Sequence, residues 1–278
     1  MATTSLDSTA NAPVTLKRHG LFTRLWHWTN VVAVFTLLMS GLMIFNAHPR
    51  LYWGHYGANY DYAWMEIGAR GQPAQGYLRV GPMAVQTTGV LGVWQHDGAV
   101  RTRAFPHWMT LPSTYSLAEG RRYHFLGAWL LMIAGIAYLG WSMINNHIRR
   151  DLLPGRSELR PCNIWQDIRA HARLRLPRGQ DAAHYNILQK LSYLLVIFIV
   201  LPVMVLTGLG MSPMMNTSWT WVLDLFGGRQ SARSVHFITA FILVVFIVVH
   251  VAMVFLAGPI NELRSMITGR FRLPEERR

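Results

Sequence analysis

SVHFITAFILVVFIVVHVAMVFLA, residues 234–257, contains no charged side chain. About 20 apolar residues are enough for a helix to cross the hydrocarbon core of a bilayer, so this stretch is predicted to span a membrane. It nevertheless contains two histidines, His236 and His250. Ionisable residues inside membrane helices are costly and usually face the interior of the protein. This segment therefore predicts both a membrane fold and a functional site on it.

Three other apolar segments have a similar length, and together with 234–257 they predict four transmembrane helices. They cover about residues 22–45, 123–144 and 188–211. The expected fold class is an all-α membrane protein, a four-transmembrane-helix bundle forming a single domain over residues 1–278. Pro202 should kink the third helix because proline lacks the backbone N–H. The first segment is too long, and too far from the N-terminus, to be read as a cleaved signal peptide.

The composition agrees with a membrane protein. Hydrophobic residues make up 51% of the 278 residues and charged residues 14%, against roughly 25% charged in soluble domains. The formal net charge is +13, but the arginines flank the apolar segments, so we expect no nucleic-acid partner. The lone cysteine, Cys162, excludes an intrachain disulfide, an all-cysteine iron–sulfur site and a CxxCH haem attachment. Histidines are therefore the main supply of metal ligands.

Lysine and arginine concentrate in the N-terminal flank, the 148–184 connection and the C-terminal tail. Four spans put these three regions on one side, which the positive-inside rule assigns to the cytoplasm. We therefore expect a bacterial inner-membrane protein with cytoplasmic termini and a long periplasmic loop, residues 46–120. This loop is rich in Gly, Pro and aromatic residues and is expected to be ordered, with a strand pair around Tyr77–Trp94. This loop would dock a partner, cover the edge of the outer haem predicted below from the histidines, or do both.

Four histidines form two pairs at matching depths. His236 and His250 are 14 residues apart, so on one helix they lie within about 40° of the same face and about 21 Å apart along the axis. His27 lies at the depth of His250, and His124, which opens the second helix, at the depth of His236, which opens the fourth. Two haems stacked across a bilayer need this arrangement. The prediction is an inner haem between His27 and His250 and an outer haem between His124 and His236, with no catalytic residue.

Gly41 is the main candidate for making room for a porphyrin. It follows His27 by 14 residues, which places it on nearly the same helix face at the depth of the outer haem. A glycine lets a cofactor approach the backbone closely. Ordinary packing of small residues between membrane helices would explain it equally well.

The RLWHW motif around His27, the position of His124, and RSVHF…VVHVAMV around His236 and His250 resemble the bacterial di-haem cytochrome b superfamily. This superfamily includes cytochrome b561, formate dehydrogenase gamma subunits, thiosulfate reductase cytochrome b subunits and nickel–iron hydrogenase b-type cytochromes. The resemblance covers the four helices but not the long loop. It implies two b-type haems and a periplasmic redox subunit, either a molybdenum-dependent oxidoreductase or a c-type cytochrome. The partner's identity and any homo-oligomer stay open.

The segment HYNILQK, residues 184–190, resembles the stretch before the third helix of formate dehydrogenase gamma subunits. There it lies beside the inner haem at a quinone pocket. The resemblance implies that Asn186 and Gln189 hydrogen-bond a quinone carbonyl and that Lys190 adjusts the local charge. The alternative is an interfacial helix start with long polar side chains reaching toward water.

The function expected from these features is electron transfer through the bilayer between the quinone pool and a periplasmic oxidoreductase partner. Whether the chain catalyses a quinone reaction itself is left open. Two alternatives belong to other classes: a transporter with a histidine proton relay, and a membrane anchor without redox activity. Haem content distinguishes both from an electron-transfer protein.

Overall fold

The computed structural model describes residues 15–173 and 186–272, and this part of the chain is mostly helical. The contacts divide the chain into two compact units. The first unit contains the described residues of Met1–His27, Tyr138–Leu195 and Phe246–Arg278. The second unit contains Trp28–Ala137 and Val196–Val245. Each unit therefore receives segments from all four predicted spans.

The α-helices of the described residues are numbered in chain order. They are α1 (Leu21–Phe45), α2 (Leu117–Ile144), α3 (Pro161–Ala172), α4 (Ile187–Leu195), α5 (Leu201–Met211), α6 (Pro213–Ser218), α7 (Thr220–Leu225), α8 (Arg229–Ala257) and α9 (Pro259–Thr268). Two π-helical turns cover Ile148–Leu152 and Val196–Val200, and a 3-10 turn covers His107–Met109.

Within the described residues, four helical segments are long and apolar enough to cross a membrane, as predicted. They are α1, α2, the continuous stretch Ile187–Met211, and α8. Helices α2 and α8 begin about one and a half turns before the apolar segments, because a hydropathy pattern marks only the apolar part of a helix. The expectation that His124 and His236 open their helices is therefore wrong. Each lies seven residues inside its helix.

The third span is irregular at the position where Pro202 predicted a distortion. Helix α4 passes into the π turn Val196–Val200, and α5 begins directly after it, with Pro202 in its first turn. Proline in a helix interior clashes with the carbonyl four residues earlier. A π turn, which widens the backbone by one residue, is a recognised way to accommodate such a break.

Short strands complete the structure, all of them paired antiparallel. In the first unit, β1 (Thr15–Lys17) pairs with β8 (Arg270–Arg272). In the second unit, one sheet has the order β2 (Arg50–Leu51), β3 (Met65–Arg70), β4 (Gln75–Val80) and β5 (Met83–Gln86), and a hairpin joins β6 (Trp94–His96) to β7 (Ala99–Arg101). The predicted strand pair around Tyr77–Trp94 is confirmed in β4 and β5, which belong to a larger sheet. The β1–β8 pair was not predicted, because three-residue strands leave no periodic pattern.

The connection between α1 and α2, residues 46–116, forms an insertion between the first two spans; residues 117–120 of the predicted loop are the first turn of α2. Buried apolar side chains of the insertion form a core with Phe45 at the end of α1: Leu51, Met65, Ile67, Ala104 and Phe105. The insertion is therefore ordered around a core of its own.

An ion cluster joins the strands of the insertion. The Glu66 carboxylate accepts hydrogen bonds from Arg50 at 3.0 Å, Arg79 at 2.8 Å and the Tyr77 hydroxyl at 2.8 Å. Burial by itself would raise the pKa of Glu66, but these hydrogen bonds and the charge of Arg50 lower it. The carboxylate consequently stays ionised and links three adjacent strands.

The first turns of α8 hold the insertion through polar side chains. Ser234 Oγ donates to the Tyr52 carbonyl at 2.5 Å and accepts from Trp64 Nε1 at 2.9 Å. Arg233 donates to the carbonyls of Arg50 and His48. The polar residues before the apolar part of α8 thus fix the insertion beside the turn that carries His236.

Candidate functional site

His27 and His250 lie opposite each other in the first unit. Helix α1 carries His27 and α8 carries His250, and the centroids of the two imidazole rings are 6.3 Å apart with an interplanar angle of 53°. Phe246, one turn before His250 on α8, stacks on the His250 ring at 5.8 Å and 18°. The structure therefore brings together the two residues that the sequence placed at one depth.

His124 and His236 form a second pair, in the second unit. Their ring centroids are also 6.3 Å apart, and the rings are inclined by 59°. Helix α2 carries His124, and α8 carries His236, 14 residues before His250. The two pairs thus have nearly the same geometry although each is built from a different part of the helices.

The separation of the rings fits an ion held between them. An imidazole nitrogen binds a transition metal at about 2.0–2.1 Å, and the ring centre lies roughly 1 Å behind it, so two imidazoles on opposite sides of one ion have centres about 6 Å apart. The described residues contain no group of three or more His, Cys, Asp or Glu side chains that could hold a metal ion. Each pair is thus suited to a metal whose other ligands come from a cofactor, as in a porphyrin.

The orientation of His124 is set by α1. Ser40 Oγ donates its proton to the Thr36 carbonyl at 2.6 Å, and it lies 3.1 Å from Nδ1 of His124. Because the Ser40 proton is directed to the Thr36 carbonyl, Nδ1 of His124 is the donor in its contact with Ser40 Oγ.

Thr207 of α5 orients the His236 ring as Ser40 orients the His124 ring. Its Oγ1 donates to the Val203 carbonyl at 2.6 Å and lies 2.8 Å from Nδ1 of His236. With Nδ1 protonated in both rings, Nε2 is the nitrogen that keeps its lone pair for a metal. Hydrogen bonds of this kind orient metal-binding histidines and raise their basicity.

Sequence reasoning missed both hydroxyl groups. A signal was present, because Ser40 precedes Gly41 and Thr207 precedes Gly208, each in an apolar helix. A Cβ at Gly41 would lie 3.4 Å from Cε1 of His124, and one at Gly208 would lie 3.7 Å from Cε1 of His236. Each hydroxyl–glycine dipeptide therefore offers one imidazole a hydrogen bond and a close, flat surface.

Two further glycines of the long helices pack against aliphatic side chains. A Cβ at Gly127 would lie 3.0 Å from Leu37, and one at Gly210 would lie 3.1 Å from Leu223. Gly127 and Gly210 therefore serve ordinary packing between helices, whereas Gly41 lies against a histidine of the candidate site.

Asn186, Gln189 and Lys190 begin the third span, while His184 and Tyr185 lie outside the described residues. Gln189 N donates to Asn186 Oδ1 at 2.9 Å, and Asn186 N donates to Gln189 Oε1 at 3.3 Å. This reciprocal pattern is a capping box that satisfies the free N–H groups of a helix start. Lys190 Nζ pairs with Glu158 at 2.9 Å, and this hydrogen bond lowers the pKa of the Glu158 carboxyl. All three residues therefore have structural contacts, and their role toward a quinone stays a prediction.

Comparison with known proteins places these features in a family. Residues 18–269 match the family described as prokaryotic cytochrome b561. The chain is 28% identical over 251 residues to a candidate protein-methionine-sulfoxide reductase subunit, YedZ1, of Azospira oryzae, covering 90% of this chain and 96% of that protein. It is 23% identical over 239 residues to a candidate Ni/Fe-hydrogenase B-type cytochrome subunit of Cupriavidus necator, covering 82% of this chain and 74% of that protein.

The resemblance inferred from the histidine motifs is thereby confirmed. The matched range encloses all four histidines of the two pairs and the four apolar helices. The protein is accordingly a multi-pass membrane protein of a family of b-type cytochromes, which bind haem and transfer electrons. The chain belongs to the prokaryotic cytochrome b561 family.

Proposed function

We propose that the chain binds two b-type haems, one between His27 and His250 and one between His124 and His236, and carries electrons across the membrane. The electrons pass between the quinone pool and the partner oxidoreductase subunit. The observation that carries this proposal is the pair of equal ring separations, 6.3 Å in each case, served by two histidines of the continuous helix α8. The spacing of 14 residues gives both histidines nearly the same face of that helix.

Haem iron supplies one-electron redox chemistry when it is bound. The side chains of the protein hold the haem and determine its surroundings. His27, His250, His124 and His236 would hold the two haems, which would supply electron transfer. Ser40 and Thr207 orient two of these imidazoles so that Nε2 keeps its lone pair, and Phe246 packs against a third.

Haem stoichiometry tests the proposal directly. Pyridine haemochrome analysis of the purified protein is expected to give two haems per chain, with low-spin spectra typical of two nitrogen ligands. One haem per chain would show that only one pair is a haem site. A protein that binds no haem would instead favour a transporter with a histidine proton relay or a membrane anchor without redox activity. Membership of the cytochrome b561 family argues against both.

The hydroxyl of Thr207 is expected to strengthen the haem site at His124 and His236. Thr207→Val has nearly the same shape but cannot accept the Nδ1–H of His236. Loss of such a hydrogen bond typically costs about 10- to 100-fold in metal affinity. The less basic imidazole should also stabilise ferric iron less and raise the midpoint potential of that haem. Redox titration with haem-affinity measurements checks both effects.

Two matched variants support this test. Thr207→Ser retains the hydroxyl and should behave like the unmodified protein. Thr217→Val removes a helical hydroxyl of the same unit that donates to the Met214 carbonyl at 2.8 Å, and it should leave both potentials unchanged. Equal potentials in Thr207→Val and the unmodified protein would refute the role assigned to Thr207.

We place the termini in the cytoplasm and the insertion in the periplasm of the bacterial inner membrane. Arginine-rich flanks support this orientation. The insertion presents three strongly exposed tyrosines, Tyr56, Tyr60 and Tyr62, and tyrosine is favoured in protein interfaces. A soluble oxidoreductase subunit, of a molybdenum-dependent or c-type cytochrome class, would dock at these tyrosines. Labelling of Tyr60→Cys in intact cells by a membrane-impermeant thiol reagent tests the orientation, and crosslinking from the same position tests the docking.

Quinone exchange is proposed at the start of the third span, in the same unit as His27 and His250. Asn186 and Gln189 each use their side-chain oxygen in the capping box, so the amide N–H groups are the relevant donors to a quinone carbonyl. Asn186→Asp and Gln189→Glu retain the capping oxygens and remove these donors. Each is expected to slow haem reduction by a quinol about tenfold, the effect of one lost hydrogen bond.

Stopped-flow reduction by a quinol analogue measures this rate. Alanine variants are less informative, because they would also remove the helix cap. Glu158→Gln, which weakens the ion pair with Lys190 but leaves both amides, serves as the control. Unchanged rates in both amide-to-acid variants would move the quinone site elsewhere, with the space beneath the insertion as the next candidate.

A further inference from the structure

Helix α9 exposes its apolar face and buries its polar face, which is the reverse of a surface helix in a soluble protein. Ile260, Leu263 and Ile267 lie on one face and are 84%, 48% and 62% exposed. The opposite face is polar and covered: Ser265 is fully buried, and Glu262 pairs with Arg18 at 2.9 Å. An amphipathic helix with an exposed apolar face is stable where that face meets lipid, in the interfacial region of a bilayer.

A basic cavity of about 660 Å³ lies beside this helix in the same unit. The β1–β8 pair, the start of α1 and the end of α9 line it. Lys17, Arg24 and Arg270 contribute three positive charges to its wall, and none of its described lining residues is acidic. The cavity is therefore a strongly cationic space at the end of a membrane helix.

Arg24 is fixed in the wall of this cavity. Its Nη1 donates to the Ile267 carbonyl at 2.6 Å, which joins α1 to the end of α9. Its Nε is buried and has no hydrogen-bond partner in the described part of the chain, and a buried unsatisfied donor of this kind calls for a partner. The first turn of α1 adds N–H groups and the positive end of the helix dipole.

The cavity charge does not depend on its histidine near neutral pH. His19 also lines the cavity, and burial together with the charge of Arg18 lowers its pKa to about 4. Lys17, Arg24 and Arg270 therefore provide the charge. The acidic residue nearest along α9, Glu262, is already neutralised by Arg18.

From these contacts we infer that the cavity binds the phosphate headgroup of an anionic phospholipid, while the apolar face of α9 lies in the adjoining lipid. The positive charge of the cavity favours an anionic ligand. The exposed Ile260, Leu263 and Ile267 favour an anion that is part of a lipid over a soluble phosphate. Leu21, which lines the cavity and is exposed, offers a contact for the acyl chain. Basic pockets at the ends of membrane helices bind lipid headgroups by this combination.

Lipid binding by the full-length haem-loaded protein tests the inference. The protein in a neutral detergent is titrated with fluorescent phosphatidylglycerol and, separately, with fluorescent phosphatidylcholine. Each basic residue near an anionic headgroup contributes about fivefold in affinity. Lys17→Gln combined with Arg270→Gln should therefore weaken phosphatidylglycerol binding about thirtyfold and leave phosphatidylcholine binding unchanged. Arg101→Gln combined with Arg103→Gln, which removes two exposed insertion charges, should change neither.

Further measurements distinguish the contribution of the charged headgroup from that of the acyl chains. Ile267→Ser should weaken binding of both lipids severalfold, because it affects the apolar contact, and high salt should weaken only phosphatidylglycerol binding. Inorganic phosphate should compete poorly. Equal affinity for the two lipids in the unmodified protein, insensitivity to salt, or equally effective competition by inorganic phosphate would each overturn the assignment. These measurements do not depend on which histidines hold haem.

Discussion

Replacement of His236 by alanine is expected to remove one haem and leave the other, so that haem content falls from two per chain to one. Its ring lies opposite His124 at 6.3 Å, and both rings of the pair would be needed to hold a haem there. The His27–His250 pair belongs to the other compact unit and should keep its haem. His250→Ala should give the reciprocal result, with the His124–His236 haem retained. Pyridine haemochrome analysis measures the content, and redox titration shows which centre remains.

The decisive comparison is between the two variants. Each should show a single low-spin centre, and the two remaining centres should have different midpoint potentials. His55→Ala, which removes an exposed histidine of the insertion, should keep both. If His236→Ala and His250→Ala lost the same centre, the proposed pairing of the four histidines would be wrong.

Substitution of Gly41 by leucine is expected to abolish haem binding at His124 and His236. A Cβ at this position already lies 3.4 Å from Cε1 and 3.7 Å from Nδ1 of His124, so the remaining leucine carbons must displace the imidazole or the backbone. Overpacking of this kind typically costs about 1–3 kcal/mol, and the ring would also lose its hydrogen bond to Ser40. The variant should retain the haem at His27 and His250 and insert normally into the membrane.

Two glycine variants control for ordinary packing. Gly41→Ala places a methyl group in van der Waals contact with His124 and should retain most of the haem. Gly140→Leu adds the same bulk on α2, where nothing lies within 4 Å of the added Cβ, and it should retain both haems. Normal content and potentials in Gly41→Leu would show that Gly41 only packs.

Much of the candidate site could be predicted from the sequence because the membrane restricts the backbone. A segment in lipid must satisfy its own N–H and C=O groups, so a long apolar run is a helix. Once α8 is a helix, the spacing of His236 and His250 fixes their relative direction, and the N-terminal parts of α1 and α2 carry the two partner histidines. The proximity of His27 to His250 and of His124 to His236 could be predicted for this reason.

The helix boundaries were less predictable. Hydropathy could not show that α8 begins at Arg229, because its first turns are polar. In those turns, Arg233 and Ser234 bind carbonyl groups of the insertion, which are more than 180 residues away in sequence. Similarly, the resemblance to formate dehydrogenase gamma subunits implied a role toward quinone for Asn186 and Gln189, whereas their mutual hydrogen bonds became visible only in the folded chain.

The sequence by itself determined that this protein lies in a membrane, that its long helices are where the apolar runs are, and which histidines share a helix face. These properties follow from local composition and from the fixed geometry of an α-helix. Only the tertiary structure decided which side chains surround those histidines. Ser40 and Thr207 define the nitrogen available for a metal because α1 meets α2 and α5 meets α8 at those residues. The basic cavity likewise exists because β1 pairs with β8 beside the start of α1, a contact that no local pattern specifies.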